Sequence, residues 1–199
     1  MTDRSWFLRV AAWAAWCVLF VPLTIVLHEL GHYLAAVLAG SPNPVLHYSW
    51  TNPGDVATKG SAITGMIGLA GPAATIILSA FGCLWIRIGR PARWAFALSV
   101  SAVSRFVVAV PYTVMHIVIR LLGGTMRPPA FDEYKAGTAL GWSGNALLAS
   151  TVIVLVAVLT YVGSKLPRGE RLTAWTGLVT GTLLGWIVWM VLLGPALLP

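Results

Sequence analysis

Charged residues are scarce in this sequence. They make up 10% of its 199 residues, whereas an average soluble domain carries about 25%. The mean hydropathy of the chain is +0.82. This shortage of charge excludes a soluble domain with a charged surface and indicates an integral membrane protein. At this length we expect one compact helical bundle, and therefore a single transmembrane domain over residues 1–199.

Cysteine and acidic residues are also few. Cys17 and Cys83 both lie inside apolar runs, so we interpret them as small core residues and not as a disulfide framework or a metal pair. The net charge of +7 reflects only six acidic residues against 13 basic ones. The basic residues lie in short gaps between apolar runs and form no stripe. That pattern is typical of topology-setting charges, and we expect no nucleic-acid partner.

Five apolar runs are long enough to cross a lipid bilayer, which takes about 20 residues. They are continuous and do not alternate with polar residues, which excludes β-strands as the spanning elements. The first run contains Pro22, a potential kink. The third is interrupted by Arg105, for which a contact in a water-filled cavity and pairing or snorkelling within the bundle both remain open. The five runs cover residues 6–39, 62–88, 94–122, 136–163 and 172–198.

The distribution of basic residues predicts an orientation. Eight lie on the side that holds the N-terminus and four on the opposite side. Because Lys and Arg accumulate in cytoplasmic loops, the N-terminus is predicted to be cytoplasmic. The short basic gaps favour a prokaryotic cytoplasmic membrane. The sequence gives no indication of the oligomeric state.

The gap between the first two runs differs from the other connections. Residues 41–61 contain three prolines, and residues 45–50 have a strand-like composition. A second short strand near residues 56–64 would complete a small hairpin. An irregular loop and a plain connector are the alternatives.

The five residues His28-Glu29-Leu30-Gly31-His32 carry the strongest chemical signal. Positions i and i+4 share a helix face, so His28 and His32 are predicted to place two imidazoles on one Zn²⁺. Glu29 would then be the general base that takes a proton from water. Three such residues inside an apolar helix need a compensating partner, since one charge at the centre of a membrane helix costs about 2.5–3.5 kcal/mol.

A catalytic zinc normally has three protein ligands and one open position. Three acidic residues are excluded as the third ligand: Asp3 at the terminus, Glu170 in the basic connection before the fifth run, and Glu29 as the general base. Five candidate ligands remain. The chain direction places Asp132 on the same side of the membrane as the histidines, and we favour it, with Glu133 and His116 as the alternatives. The five donors are Asp55, Asp132, Glu133, His47 and His116.

These residues resemble the site-2 protease family of intramembrane zinc metalloproteases. His28 to His32 resembles the zinc motif of that family, residues 70–74 (Ala-Gly-Pro-Ala-Ala) resemble its Ala-Gly-Pro helix start, and residues 128–132 (Pro-Pro-Ala-Phe-Asp) resemble its Pro-rich approach to an aspartate ligand. The match covers roughly residues 10 to 145. The chain departs from the family pattern at Thr75, where Asn is common, and at Glu133, where Gly is usual.

The resemblance implies a metallopeptidase that binds Zn²⁺ and cleaves a peptide bond in or near a transmembrane segment of a membrane-protein client. A client would unwind locally and add as a strand to residues 45–50. The alternative is a non-catalytic metal-binding homologue that acts as an assembly or regulatory subunit, and a transporter or channel is third. The predicted substrate-binding residues are Gly71, Pro72, Thr75, His47 and His116.

Glycines recur at every fourth position of the fifth run, at Gly177, Gly181 and Gly185. A stripe of small residues permits close approach of two membrane helices. We expect the stripe to pack within the bundle, with homodimerisation as the alternative.

Overall fold

The computed structural model describes residues 3–55, 60–89 and 92–198. The predicted fold class, an all-α bundle of about five transmembrane helices, is confirmed. Five helical segments are long and apolar enough to cross a membrane, and they agree with the predicted runs except at the start of the fourth. The segments are Arg4–Leu38, Ser61–Arg87, Arg93–Leu121, Gly144–Lys165 and Arg168–Leu197.

Helices α1 (Asp3–Leu38) and α2 (Ser61–Arg87) form the crossing that carries the site. α1 is one continuous helix that includes Pro22. It passes α2 closely at Gly31, where a Cβ atom would lie 2.7 Å from the carbonyl oxygen of Ala70. Only glycine fits at this point. The last turns of α1 are thereby held against the middle of α2.

A small antiparallel hairpin follows α1. Strands β1 (Val45–Leu46) and β2 (Thr51–Asn52) pair Val45 with Asn52 and Leu46 with Thr51. The second strand therefore comes earlier in the chain than residues 56–64. Residues 56–59 lie outside the described ranges, and α2 already begins at Ser61. The indole N–H of Trp189 donates to the carbonyl oxygen of Tyr48 at 2.8 Å and holds the hairpin against the C-terminal helix.

The third span is interrupted, as expected at Arg105. It consists of α3 (Arg93–Val103), a 3₁₀ segment (Ser104–Val108) and α4 (Ala109–Leu121). Pro111 has no N–H to donate to a carbonyl four residues earlier. The Ser104 hydroxyl donates to the carbonyl oxygen of Ser101 at 2.7 Å and competes for the helix backbone. Both features weaken the regular ladder around Arg105.

The predicted start of the fourth span, near residue 136, is wrong. Residues Asp132–Ala139 form a separate short helix, α5, and the spanning helix α6 runs over Gly144–Lys165. Gly141 has φ +76°, which a helix does not accommodate. The Ser143 hydroxyl then accepts from the N–H of Ala146 and caps α6. Hydropathy alone does not reveal this change of direction.

The fifth span contains α7 (Arg171–Ile187), a π-helical turn (Val188–Leu193) and α8 (Gly194–Leu197). The glycine stripe of α7 lies against α1. A Cβ atom at Gly177 would lie 2.7 Å from the Val10 carbonyl oxygen, and one at Gly185 would lie 2.8 Å from Cβ of Val21. The stripe therefore packs inside the bundle.

Candidate metal centre

Helix α1 places the two predicted imidazole ligands one turn apart and away from solvent. His28 is 1% exposed and His32 is 7% exposed. Their Nε2 atoms lie 3.2 Å apart. This closeness follows from the i and i+4 spacing on one helix face.

Asp132, the first residue of α5, brings a carboxylate to the same point. Its Oδ2 atom lies 3.6 Å from Nε2 of His28 and 3.4 Å from Nε2 of His32. Burial acts to raise the pKa of the Asp132 carboxyl, but without a cation the imidazole Nε2 atoms, when protonated, outweigh it and hold that pKa well below its usual range. The carboxylate is therefore ionised at neutral pH, as metal coordination requires.

The three donor atoms have the spacing of a tetrahedral metal site. Zn–N and Zn–O bonds are about 2.0–2.2 Å long, so tetrahedral ligand atoms lie about 3.3–3.6 Å from one another. The separations of 3.2, 3.4 and 3.6 Å fit this geometry closely. Among the described residues, these three form the one group of His, Cys, Asp or Glu side chains close enough to share an ion.

One face of α2 orients the imidazoles. The carbonyl oxygen of Ile67 lies 2.7 Å from Nδ1 of His32. A carbonyl only accepts, so Nδ1 carries the proton and the Nε2 lone pair is available to a cation. The Thr75 hydroxyl lies 2.8 Å from Nδ1 of His28 and accepts from it in the same way when Nε2 binds a cation. Such outer contacts fix ring orientation in metal sites.

Gly71 lies between these two contacts on the same face of α2. A Cβ atom there would lie 2.6 Å from Nε2 of His28 and closer still to Nε2 of His32. The space that a side chain would fill is the space next to the donor nitrogens. Ile67, Gly71 and Thr75 are spaced by four residues, and together they form the wall behind the metal position.

Glu29 is held by contacts from two other parts of the chain. Its Oε1 atom accepts from Nη1 of Arg105 at 2.8 Å, and the carboxylate is 3% exposed. The Thr51 hydroxyl lies 2.8 Å from the Glu29 carbonyl oxygen and 3.2 Å from its Oε2 atom. The indole N–H of Trp186 donates to the Ser104 hydroxyl at 3.1 Å and anchors the 3₁₀ segment that carries Arg105.

A cavity of about 400 Å³ opens onto these groups. The hairpin, α2, the 3₁₀ segment and α5 form its walls. His32 and Asp132 of the metal position line it, and so do Glu29 and Arg105. The cavity therefore has room for water molecules beside the donor atoms and the carboxylate.

The other predicted site residues divide between the wall behind the donor atoms and places away from them. Gly71 and Pro72 are buried in α2, and Thr75 is 1% exposed behind His28, so it supports a ligand and does not face a cleft. His47 stacks on Trp50 in the hairpin, with ring centroids 4.1 Å apart. His116 lines a second cavity of about 180 Å³ between α4 and α6. It is thus separated from the donor cluster, and the exposed Asp55 is outside it as well.

Glu133, the alternative third ligand, is buried next to Asp132 but is not one of the three clustered donors. Burial raises the pKa of the Glu133 carboxyl.

Two groups that contact the candidate site were not predicted from the sequence. They are the Thr51 hydroxyl, which contacts Glu29, and the Ile67 carbonyl oxygen, which contacts His32. A threonine in a strand has no distinguishing spacing, and a backbone carbonyl has no signature at all.

Comparisons with known proteins give no further assignment. The chain matches no protein-family model, no curated protein and no solved structure. The resemblance to the site-2 protease family stays a prediction that rests on the three motifs.

Proposed function

We propose that this protein is a zinc-dependent peptidase that cleaves membrane-protein clients in or near a transmembrane segment. The observation that carries the proposal is the tetrahedral spacing of the His28, His32 and Asp132 donors beside the buried Glu29 carboxylate. Three protein ligands with an accessible fourth side are typical of catalytic zinc sites.

His28, His32 and Asp132 would hold the metal, and Glu29 would move the proton. Bound zinc lowers the pKa of water to about 7 and polarises a carbonyl group. Glu29 accepts a proton from the attacking water at a carboxylate oxygen and passes it to the leaving amide nitrogen. The Thr51 hydroxyl has one proton, which it donates either to Oε2 of the carboxylate at 3.2 Å or to the Glu29 carbonyl oxygen at 2.8 Å.

A membrane client fits the surroundings of the site. His32 lies six residues, about 9 Å, from the C-terminal end of the apolar helix α1. The cavity is therefore close to one membrane surface, where a locally unwound segment can enter beside the hairpin. The excess of basic residues on the opposite side supports a cytoplasmic N-terminus, and we place the protein in a prokaryotic cytoplasmic membrane.

One observation favours a second function, a metal-binding subunit without catalysis. Glu29 is engaged by Arg105, and a carboxylate that is ion-paired with a partly buried cation is a poor proton acceptor unless another anion replaces it. In such a protein the metal would stabilise the bundle, and loss of Glu29 would change complex assembly and leave client processing unaffected.

Glu29→Gln tests the proposal. The variant should retain about one zinc per chain and lose cleavage of labelled single-span peptides by about 10²–10⁴-fold, since general acid–base catalysis has this magnitude. His28→Ala should lose both zinc and cleavage. Glu170→Gln, which removes a carboxylate in the 3₁₀ turn at the start of the fifth span, is the matched control and should behave as wild type. Undiminished cleavage by Glu29→Gln would refute the peptidase.

A further inference from the structure

Arg105 is the one cation that contacts the proposed general base in the described part of the chain. Its Nη1 atom donates to Oε1 of Glu29 at 2.8 Å, and the two side chains are 20% and 3% exposed. The residue sits in the 3₁₀ segment in the middle of the third span. A charge at this depth is costly unless it is paired, and Glu29 is its partner.

The following inference rests on the proposed peptidase activity. In that reaction Glu29 loses its negative charge when it accepts a proton, so the ion pair with Arg105 cannot persist through every step. Water gives a proton to Glu29 while its oxygen bonds to the carbonyl carbon, and the carbonyl π pair moves to oxygen. The product of this step is a neutral Glu29 and a negative oxyanion. Arg105, which is 20% exposed at the cavity wall, is then a partly buried cation without its anion, and a new anion in the cavity would stabilise it.

In the proposed reaction the oxyanion would form inside the cavity that Arg105 itself lines. Guanidinium groups carry five N–H donors in a fork, and the Glu29 pair uses Nη1. We propose that Arg105 is a catalytic residue that leaves Glu29 as the carboxylate is protonated and binds the oxyanion of the tetrahedral intermediate. One positive charge thus stays paired with one negative charge throughout.

The second half of the reaction reverses the exchange. The oxyanion re-forms the carbonyl, the C–N bond breaks, and the leaving nitrogen takes the proton from Glu29. The carboxylate regains its charge and Arg105 returns to it. The Thr51 hydroxyl lies 3.2 Å from Oε2, the oxygen that Arg105 does not use, and can donate to it while the ion pair is open.

The test compares Arg105→Gln and Arg105→Lys with wild type in the full-length, zinc-loaded protein. Two blocked Leu-Leu probes distinguish binding of the substrate from binding of the tetrahedral intermediate. The plain dipeptide amide resembles the substrate. The phosphinate carries a tetrahedral anion and resembles the intermediate. Arg105→Gln should keep its zinc and bind the amide within about threefold of wild type. Its affinity for the phosphinate and its kcat should fall by about 10²–10³-fold with little change in KM.

Arg105→Lys keeps the charge without the fork and should fall between wild type and Arg105→Gln. Arg120→Gln removes a cation from the exposed end of the same span and should change neither affinity. Equal loss of phosphinate and amide binding in Arg105→Gln would overturn the inference and assign Arg105 a structural role. Wild-type kcat in Arg105→Gln would also overturn it while the peptidase stands. If wild type neither cleaves peptides nor binds the phosphinate, the proposed function fails and this inference with it.

Discussion

The Thr75 hydroxyl lies 2.8 Å from Nδ1 of His28, so a residue of α2 determines which ring nitrogen of an α1 ligand faces the metal position. Thr75 departs from the asparagine of the family that the chain resembles. Both side chains offer an oxygen that accepts from Nδ1–H. The departure therefore preserves the acceptor at this position.

Thr75→Val should weaken zinc binding. Valine has nearly the shape of threonine but leaves the buried His28 Nδ1–H without a partner, and loss of such a contact lowers metal affinity by about 10–100-fold. Competition with a chelator measures the change. Thr75→Ser, which keeps the hydroxyl, should bind zinc as wild type does, and an equal loss in both variants would contradict the role of the hydroxyl.

Gly71→Ala should abolish metal binding while the helices remain. The added Cβ would occupy the space beside Nε2 of both histidines, so both imidazoles would have to move and the donor nitrogens would lose their positions. The measurement is zinc content of the purified protein together with its circular dichroism. Gly169→Ala adds the same methyl group in open space and should leave zinc content unchanged. Full zinc content in Gly71→Ala would contradict the position of the wall behind the metal.

Asp132→Ala should lose zinc, whereas Glu133→Gln should keep it. The reason is that Asp132 is one of the three clustered donors and its neighbour Glu133 is not. Zinc per chain, measured on both variants in parallel, distinguishes the two carboxylates. Zinc loss in Glu133→Gln alone would reassign the third ligand.

Gly181→Ala should destabilise the bundle at the crossing of α1 and α7. A Cβ atom there would lie 2.6 Å from Cα of Ala14, and overpacking of this kind costs about 1–3 kcal/mol. The free energy of unfolding in a detergent titration measures the loss, with Gly169→Ala as the control. An unchanged free energy would show that the two helices separate at little cost.

The spans and the imidazole pair could be predicted because their signals are local. Apolar runs indicate membrane helices. The spacing of His28 and His32 predicts that both lie on one helix face, and this prediction does not depend on the rest of the fold. The side of the membrane on which each acidic residue and histidine lies then limited the candidates for the third ligand to a few residues. In the structure, one of these, Asp132, lies next to the two imidazoles.

The contacts around those donors were not predictable, because they depend on how helices cross. No sequence spacing links Glu29 to Arg105. The sequence analysis gave two alternatives for Arg105, a contact in a water-filled cavity and pairing or snorkelling within the bundle. In the structure Arg105 contacts the carboxylate of Glu29. Thr75 was predicted for a cleft and lies behind a ligand instead. Helix α6 begins at Gly144, later than the predicted start near residue 136. The reason is the positive φ of Gly141, which interrupts the helix and which hydropathy does not reveal.

The metal position takes its donors from distant stretches of chain. Asp132 follows His32 by roughly one hundred residues and lies beyond the third span. At a synthesis rate of about 5–20 residues per second, a nascent chain carries the imidazole pair for about 5–20 s before the ribosome adds the carboxylate. In the proposed peptidase, the ligand set can therefore be completed only after three membrane helices have been made.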